Sequence, residues 1–159
     1  MTVDPKILRE AMRQWATGVT IVSAQHNGQR HGMTVSSFTS VSLTTPLVMV
    51  SLEQSTRTHQ LVQDAGAFGV TILDSSQQKI SNQFAGRQTE ATDRFANLEI
   101  HTLATGAPIL DQYLMTLDCR VVSKISMGTH TVFIGEVIAL EVNETRQDPL
   151  IYYNRDYRQ

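Results

Sequence analysis

Two long strand patterns near the end of the chain restrict the fold more than any other feature. The first is YLMTLDCRVVSKISMG (113–128) and the second is HTVFIGEVIALEV (130–142). Gly128 ends the first pattern, and glycine tolerates the backbone conformations that a tight turn needs. The two patterns therefore predict a long antiparallel hairpin, and with it a fold built mainly of β-strands.

Shorter strand patterns and turn signals fill much of the remaining chain. Asn27-Gly28 is a strong hairpin signal because both residues tolerate positive φ. Residues 87–111 show no clean period and are predicted to be mostly loop. The other predicted strands are VTIVSA (19–24), RHGMTVSSF (30–38), PLVMVSL (46–52), AFGVTIL (67–73) and PLIYYNRDY (149–157), the last read as a final strand and tail.

Three helices are predicted among these strands. Asp4-Pro5 opens the first, with an N-cap acceptor and a proline in the first turn. Gly18 is expected at its exit. The segments TRTHQLVQDAG (56–66) and DSSQQKISNQFAG (74–86) predict two short helices that end at glycine. In the first helix, apolar residues recur at helical spacing and are expected to face a core: Leu8, Ala11, Met12 and Trp15.

The order of these elements favours an antiparallel barrel over repeated βαβ units. Six or seven strands with short connections and a few short helices are typical of a barrel. A length of 159 residues favours one domain over residues 1–159. We therefore expect a mainly β fold with short α-helices.

Composition and charge argue against several function classes. The formal net charge is −2 and no basic block is present, so nucleic acid is not an expected partner. Cys119 is the only cysteine, which excludes an internal disulfide and predicts a small buried or half-buried thiol. The first residues lack the apolar core of a secretory signal, and no apolar run approaches the roughly 20 residues that span a bilayer. A cytoplasmic location without a membrane partner is expected.

A hydroxyl-rich stretch interrupts the strand patterns. Eight of the twelve residues from Thr34 to Thr45 are Ser or Thr. Strand alternation does not explain them, because Ser36 and Ser37 are adjacent and would point to opposite faces. Small hydroxyls leave room for a flat ligand and hydrogen-bond to its polar groups, and Gly32 would permit close backbone approach. The stretch predicts a wall for a planar, phosphorylated ligand; the alternative is a polar edge strand without one.

The sequence resembles the short-chain flavin reductases, the reductase components of two-component flavin monooxygenases, from about Ala11 to Tyr157. MTVSSFTSVSL (33–43) together with HTVFIGEV (130–137) carries most of the resemblance. The other matching segments, in the family's order, are WATGVTIVSA (15–24), STRTHQLVQDAGAFGVTIL (55–73), QFAG (83–86), DRF (93–95), GAPIL (106–110) and PLIYY (149–153).

The resemblance implies an FMN-binding, antiparallel Greek-key split barrel of six to seven strands with flanking helices, which usually forms a homodimer. It also implies reduction of flavin by NADH or NADPH and transfer of reduced flavin to a partner oxygenase. FMN and FAD are both compatible, and a short phosphate-binding loop favours FMN. A flavin carrier or electron-transfer protein of the same fold is the main alternative, and a binding module without flavin is a third.

The resemblance also assigns site residues. It implies that the flavin contacts Met33, Thr34, Ser36 and Ser37. The strand end at Ser51 and Leu52 leads to a helix start that would hold the phosphate, because helix N-terminal N–H groups attract anions. A plain helix cap is the alternative reading of that start. The phosphate residues implied are Ser55, Thr56, Arg57 and Thr58, and a further flavin-facing segment is Phe84, Ala85, Gly86 and Arg87.

His130 is the residue that the resemblance links to the nicotinamide. Family members commonly carry Gly-Asp-His before a segment xxFxGEV, whereas this chain has Gly128-Thr129-His130. Thr129 thus stands where the family has an acid. His59 lies inside the second helix and is expected to be structural or on the surface. The remaining histidines, His26, His31 and His101, show no metal-like pairing in the sequence, and no metal site is expected.

Overall fold

The computed structural model describes residues 2–86, 93–145 and 147–158, and it is built mainly of β-strands. The helices are α1 (Pro5–Ala11), α2 (Arg57–Ala65) and α3 (Gln78–Phe84), with 3-10 turns at Met12–Gln14 and Ser75–Gln77. The strands are β1 (Thr17–Gly18), β2 (Thr20–His26), β3 (Gln29–Val35), β4 (Thr39–Ser42), β5 (Leu47–Glu53), β6 (Ala67–Ile72), β7 (Ile100–Thr102), β8 (Pro108–Leu110), β9 (Met115–Met127), β10 (His130–Val142), β11 (Ile151–Tyr153) and β12 (Asp156–Arg158).

Seven of these strands form one antiparallel sheet in the order β3-β2-β6-β9-β10-β5-β4. The predicted long hairpin is confirmed as β9–β10, with His130 opposite Met127 and Gly128 at φ 58° in the turn. The hairpin at Asn27-Gly28 is confirmed too, and both residues have positive φ. The predicted antiparallel, mainly β class is therefore correct.

The first hydrophobic core lies between this sheet and α2. Leu61 and Val62 of α2 pack there with Val50, Phe68 and other strand residues. Cys119 is fully buried in the same core, as predicted, and burial raises the pKa of its thiol to about 12.

A second core explains Gly32 in a way that the sequence analysis did not. Phe84 of α3 and Phe95 pack edge to face, with ring centroids 5.0 Å apart. A Cβ atom on Gly32 would lie 2.9 Å from the Phe84 ring and 3.1 Å from Phe95. Gly32 is therefore needed for close packing of these rings beneath β3.

The apolar face of the first helix was predicted to pack against a core, and this prediction is wrong. Asp4 caps the helix as predicted, because its side chain accepts a hydrogen bond from the N–H of Lys6 at 2.7 Å. However, α1 has no buried residue, and its predicted core-facing side chains are exposed. The helix also ends at Ala11, so Gly18 is not its exit and instead lies in β1. Apolar spacing identified the apolar face correctly, but no part of the described chain covers it.

Three other segments differ from the predictions. Within the predicted loop 87–111, strands β7 and β8 form a small antiparallel pair, while residues 87–92 lie outside the described residues. The C-terminal segment is a β11–β12 hairpin rather than one strand and a tail. Strand β3 ends at Val35, so Ser36 and Ser37 lie beyond it rather than on alternate strand faces. In the part of the chain that the structure describes, no helix combines the length and apolar character that a membrane crossing requires.

Candidate functional site

The segment Thr34–Ser37, here called the hydroxyl wall, runs from the end of β3 toward β4. The Thr34 hydroxyl donates to the carbonyl of Ser81 in α3 at 2.6 Å. The Ser37 hydroxyl donates to the carbonyl of Ser51 at 2.7 Å and accepts from its N–H at 3.3 Å. Two hydroxyls therefore fasten the wall to α3 and β5, while Ser36 between them is exposed.

A first cavity, of about 480 Å³, opens beside the hydroxyl wall. Thr34, Val35 and Ser36 line one side of it. The end of α3 lines another side, through Asn82 and Ala85. The C-terminal hairpin lines the rest, through Tyr152, Arg155, Asp156 and Tyr157. The cavity is of the size that small-ligand sites usually have.

A second cavity, of about 420 Å³, adjoins the first. Both cavities are lined by Ser36, Tyr152 and Arg155, and the second adds Ser37 and residues of the N-terminal region. The hydroxyl wall therefore lines both cavities, as a ligand-binding segment should. The rest of the predicted flavin segment lies behind it, because Met33 is half-buried and packs against the first core.

The start of α2 is more internally bonded than the sequence analysis predicted. Thr56 caps the helix, since its hydroxyl accepts from the N–H of His59 at 3.3 Å. Thr58 is fully buried and bonds Nδ1 of His31 in β3 at 2.7 Å. Leu52 is also fully buried, so only its backbone is available at the end of β5. In this segment Ser55 is exposed and Arg57 is half-buried.

His59 links the same helix to β10, which confirms it as structural. Its Nε2 lies 2.9 Å from the Thr131 hydroxyl, and its ring packs against Phe133. Burial, and to a lesser degree Lys124, lowers the pKa of His59 below its ordinary value. We call Thr58 and His59, with their partners His31 and Thr131, the α2 joint, because they tie one helical turn to β3 and β10.

His130 lies exposed at the tip of the β9–β10 hairpin. The side chain of Gln54 donates to the His130 carbonyl at 3.1 Å, and the N–H of Gln54 donates to the Thr129 carbonyl at 3.0 Å. The turn between β5 and α2 therefore holds the hairpin tip. Thr129, which replaces the acid of the family motif, lies with its hydroxyl 2.9 Å from Nδ1 of His130.

The predicted segment 84–87 divides between buried and exposed positions. Phe84 is fully buried in the second core, whereas Ala85 and Gly86 are exposed, with Gly86 at φ 77°. Arg87 lies outside the described residues. Arg94, which the sequence offered only as part of the segment DRF, is buried and donates to the carbonyls of Gly32 at 3.1 Å and Phe84 at 3.0 Å. Arg94 thus fixes α3 against the strand that leads into the hydroxyl wall.

The sequence analysis assigned no site role to the C-terminal hairpin. Its turn is formed by Asn154 and Arg155, both at positive φ, and the ring of Tyr152 packs against that of Tyr157. The Tyr157 hydroxyl lies 2.8 Å from the Ser81 hydroxyl, next to the carbonyl that Thr34 bonds. The segment IYYNRDY contains three tyrosines, but its sequence carried no signal for the cavity that it lines.

His101 makes a contact that the sequence did not reveal. Its two ring nitrogens face carboxylates, Asp111 at 2.6 Å and Glu141 at 3.1 Å. Among residues 2–86, 93–145 and 147–158, no group of three or more His, Cys, Asp or Glu side chains is arranged to hold a metal ion.

The first cavity and the hydroxyl wall fit a flavin on their own geometry. The wall has no bulky side chain at Thr34 or Ser36, so a flat ring can approach its backbone. The lining supplies hydroxyl, amide and phenol groups that match the polar edge of such a ring. Ser51 of β5 bonds the wall and α2 begins six residues later at Arg57, but none of residues 51–58 lines either of these two cavities.

Comparisons with known proteins agree with this geometry. Residues 12–159 match the family described as "Flavin reductase like domain". The chain is 38% identical over 157 residues to the NADH-dependent flavin reductase StyB of Pseudomonas fluorescens, covering 98% of this chain and 89% of StyB.

A second curated relative is the reductase component of a 4-nitrophenol 4-monooxygenase/4-nitrocatechol 2-monooxygenase of Rhodococcus opacus. It is 37% identical over 151 residues, covering 95% of this chain and 78% of the relative. Among solved structures, the flavin reductase PheA2 superposes with a TM-score of 0.88 at 36% identity, covering 99% of this chain and 98% of PheA2. With both its fold and its sequence matched over almost the full length, the chain belongs to the flavin reductase family.

Proposed function

We propose that this protein reduces flavin with NADH and passes the reduced flavin to a partner monooxygenase. The observation that carries the proposal is the cavity on the hydroxyl wall, in a chain that matches the flavin reductase family over residues 12–159. Relatives named as NADH-dependent flavin reductases and monooxygenase reductase components support both the donor and the partner. A cytoplasmic location is proposed with it, because NADH is a cytoplasmic donor.

The protein's part in this reaction is binding and orientation. Flavin and NADH, when bound, would supply the hydride-transfer chemistry themselves, and the residues of this chain would hold and orient the two molecules. Thr34, Ser36 and Ser37 hold the polar edge of the ring, and backbone N–H groups along the wall face the negative charge that develops there. Ser55, Thr56, Arg57 and the N-terminal N–H groups of α2 hold the phosphate. FMN fits this arrangement better than FAD, because FMN ends in a single phosphate group at the start of α2.

His130 docks the nicotinamide in this proposal. Its exposed ring at the hairpin tip is held by Gln54 through the backbone and faced by the Thr129 hydroxyl. A threonine there orients the ring without adding a negative charge, so His130 lacks the ion-pair partner that an acid would give. Productive transfer needs the donor carbon held close to the ring, within about 3–3.5 Å.

The protein forms a homodimer in this proposal. Apolar side chains are exposed along the β9–β10 hairpin, and apolar strand faces of this kind usually mark an interaction surface. They are Val122, Ile125, Met127, Ile138, Leu140 and Val142. Sedimentation equilibrium should give twice the chain mass, and Leu140→Lys should shift the equilibrium toward the monomer. A wild-type protein that sediments as a monomer at micromolar concentration would contradict the assembly.

The test of the function is NADH oxidation by the purified protein, with and without added FMN. We expect oxidation that depends on FMN, and NADH used in preference to NADPH. His130→Ala should bind FMN normally but turn over NADH at least tenfold more slowly, whereas His26→Ala, beside the β2–β3 turn, should match the wild type.

The alternative function, a flavin carrier, predicts a different result. A carrier would bind FMN tightly and oxidise neither nicotinamide. Unchanged turnover and unchanged NADH affinity in His130→Ala would remove that residue from the reaction.

A further inference from the structure

The second cavity differs from the first in its charge. Three arginines line it, Arg9 and Arg13 from the N-terminal region and Arg155 from the C-terminal hairpin, and no acidic side chain lines it. The first cavity, in contrast, is lined by Asp156 as well as Arg155. Three cations around one space of about 420 Å³ favour an anionic ligand.

Two of the three arginines are held in place before any ligand binds. The Glu10 carboxylate receives a hydrogen bond from Arg13 at 2.7 Å and another from Arg155 at 2.7 Å. Asn154 accepts from Nε of Arg13 at 3.0 Å, and its own N–H donates to the Arg13 carbonyl at 3.1 Å. These contacts join α1 to the tip of the C-terminal hairpin and fix both guanidinium groups.

The positive charge exceeds what Glu10 neutralises. Each of its carboxylate oxygens bonds one arginine, and the hydrogen bond from Arg13 is the main cause that lowers the pKa of Glu10. Arg9 forms no ion pair among the described residues. One carboxylate therefore faces three guanidinium groups, and guanidinium is the side chain best suited to bind phosphate oxygens in pairs.

Aromatic groups line the same cavity. Trp15 is 68% exposed and Tyr152 is half-buried, and both contribute to its lining. An indole left this exposed beside arginines offers a flat face on which a purine base can stack. Ser36 and Ser37 complete the lining, so a ligand in the second cavity would touch the hydroxyl wall as well.

We propose that the second cavity, formed by Arg9, Arg13, Trp15 and Arg155, binds the adenosine diphosphate part of a dinucleotide. The arginines bind the diphosphate, the aromatic residues stack on adenine, and the hydroxyl wall directs the other half of the dinucleotide toward the first cavity. This inference rests on the proposed function. NADH and FAD both contain this group, and the experiment separates them.

The first measurement is ADP binding by isothermal titration calorimetry, which needs no turnover. Wild-type protein should bind ADP, and Arg9→Ala and Trp15→Ala should each weaken binding at least fivefold. Lys6→Ala is the matched control, because Lys6 lies on the same helix but does not line the cavity. No ADP binding by the wild type, or an equal loss in Lys6→Ala, would overturn the subsite.

The second measurement identifies the source of the diphosphate. If NADH binds here, Arg9→Ala should raise KM for NADH at least fivefold more than KM for reduced nicotinamide mononucleotide, which lacks the adenylate. If FAD binds here, the same variant should weaken FAD binding at least fivefold more than FMN binding. If Arg9→Ala changes neither the ratio of the two KM values nor the ratio of FAD affinity to FMN affinity, the proposed subsite is wrong. Wild-type protein that oxidises neither nicotinamide donor would refute the proposed function, while ADP titration would still decide the subsite.

Discussion

The hydroxyl wall and the α2 joint both contain hydroxyl residues that the resemblance linked to the flavin, Thr58 being the one in the joint, yet the structure uses these side chains differently. In the wall, Thr34 and Ser37 bond backbone carbonyls at its edges, and Ser36 faces open space in both cavities. In the joint, Thr58 is fully buried and bonds His31, while His59 bonds Thr131.

The difference shows that serine and threonine hydroxyls can either face a ligand site or hold the fold together. A hydroxyl that lines a cavity and donates to a carbonyl still has lone pairs for a ligand, whereas a buried one bonded to another side chain is consumed by the fold. The joint therefore supports the site by holding α2 against β3 and β10. The other residues that the resemblance linked to a phosphate at that end are Ser55, Thr56 and Arg57, and the Thr56 hydroxyl donates to the Glu53 carbonyl at 2.8 Å and accepts from the N–H of His59.

The largest effect that separates the two segments is expected from Thr58→Val. Valine matches threonine in shape but removes the hydroxyl, so His31 loses its 2.7 Å partner inside the protein. We expect the free energy of unfolding to fall by about 1–3 kcal/mol, measured by urea denaturation. FMN affinity at low temperature should change less than twofold.

Thr102→Val is the control for that change, because Thr102 is exposed on β7 and should show no such loss. If Thr58→Val instead kept its stability and lost FMN binding, the joint would be part of the binding site and the contrast between the segments would fail.

Ser36→Ala should have the opposite profile, with a smaller energy. The dissociation constant for FMN should rise about fivefold, a loss of roughly 1 kcal/mol, because one hydrogen bond to the ligand is removed. The free energy of unfolding should stay within about 0.5 kcal/mol of wild type, since the side chain is exposed. Fluorescence titration of FMN measures the first quantity. Ser40→Ala, in the same hydroxyl-rich run but outside both cavities, should leave FMN binding unchanged.

The smallest expected effect is on how the free energy of unfolding depends on pH, through His59 of the α2 joint. Because burial lowers the pKa of His59, the folded state favours its neutral form. The contribution of neutral His59 to the free energy of unfolding is therefore fully present at a pH above the ordinary histidine pKa of about 6.5. It is lost as the pH falls toward the lower pKa that His59 has in the folded state. Urea denaturation at pH 7.5 and 5.5 should show a smaller loss of stability in His59→Asn than in wild type.

His26→Asn provides the comparison for that experiment, since His26 lies in the exposed β2–β3 turn region and makes no side-chain hydrogen bond in the described ranges. An identical pH dependence in wild type and His59→Asn would show that the joint does not titrate.

Local signals predicted most of the sheet and the position of the hydroxyl wall. Asn27-Gly28 follows the end of β2 and Gly66 follows the end of α2, as predicted, because these residues tolerate positive φ. Gly66 adopts φ 64°. The failures concern long-range packing. Helical spacing identified the apolar face of α1 but carried no information on whether other residues would cover it, and Trp15 lies in the open.

The site was less predictable than the sheet for the same reason. Gly32 faces Phe84, which is distant in sequence, so only the folded chain shows why a side chain is excluded there. The C-terminal hairpin turns at Asn154-Arg155, without the glycine that usually marks such a turn. Its place beside the hydroxyl wall depends on contacts with α1 and α3 that no local pattern contains.

The burial of Cys119 has a consequence for oxidation and for labelling. Reduced flavin that escapes into aerated solution generates hydrogen peroxide, which attacks thiolates. With its pKa raised to about 12, the only sulfhydryl of this chain stays protonated and shielded in the first core. The Cys119 thiol is thereby protected from peroxide. A cysteine introduced at Thr129 would be the single reactive thiol per chain, and a spin label there would report movement of the hairpin tip during turnover.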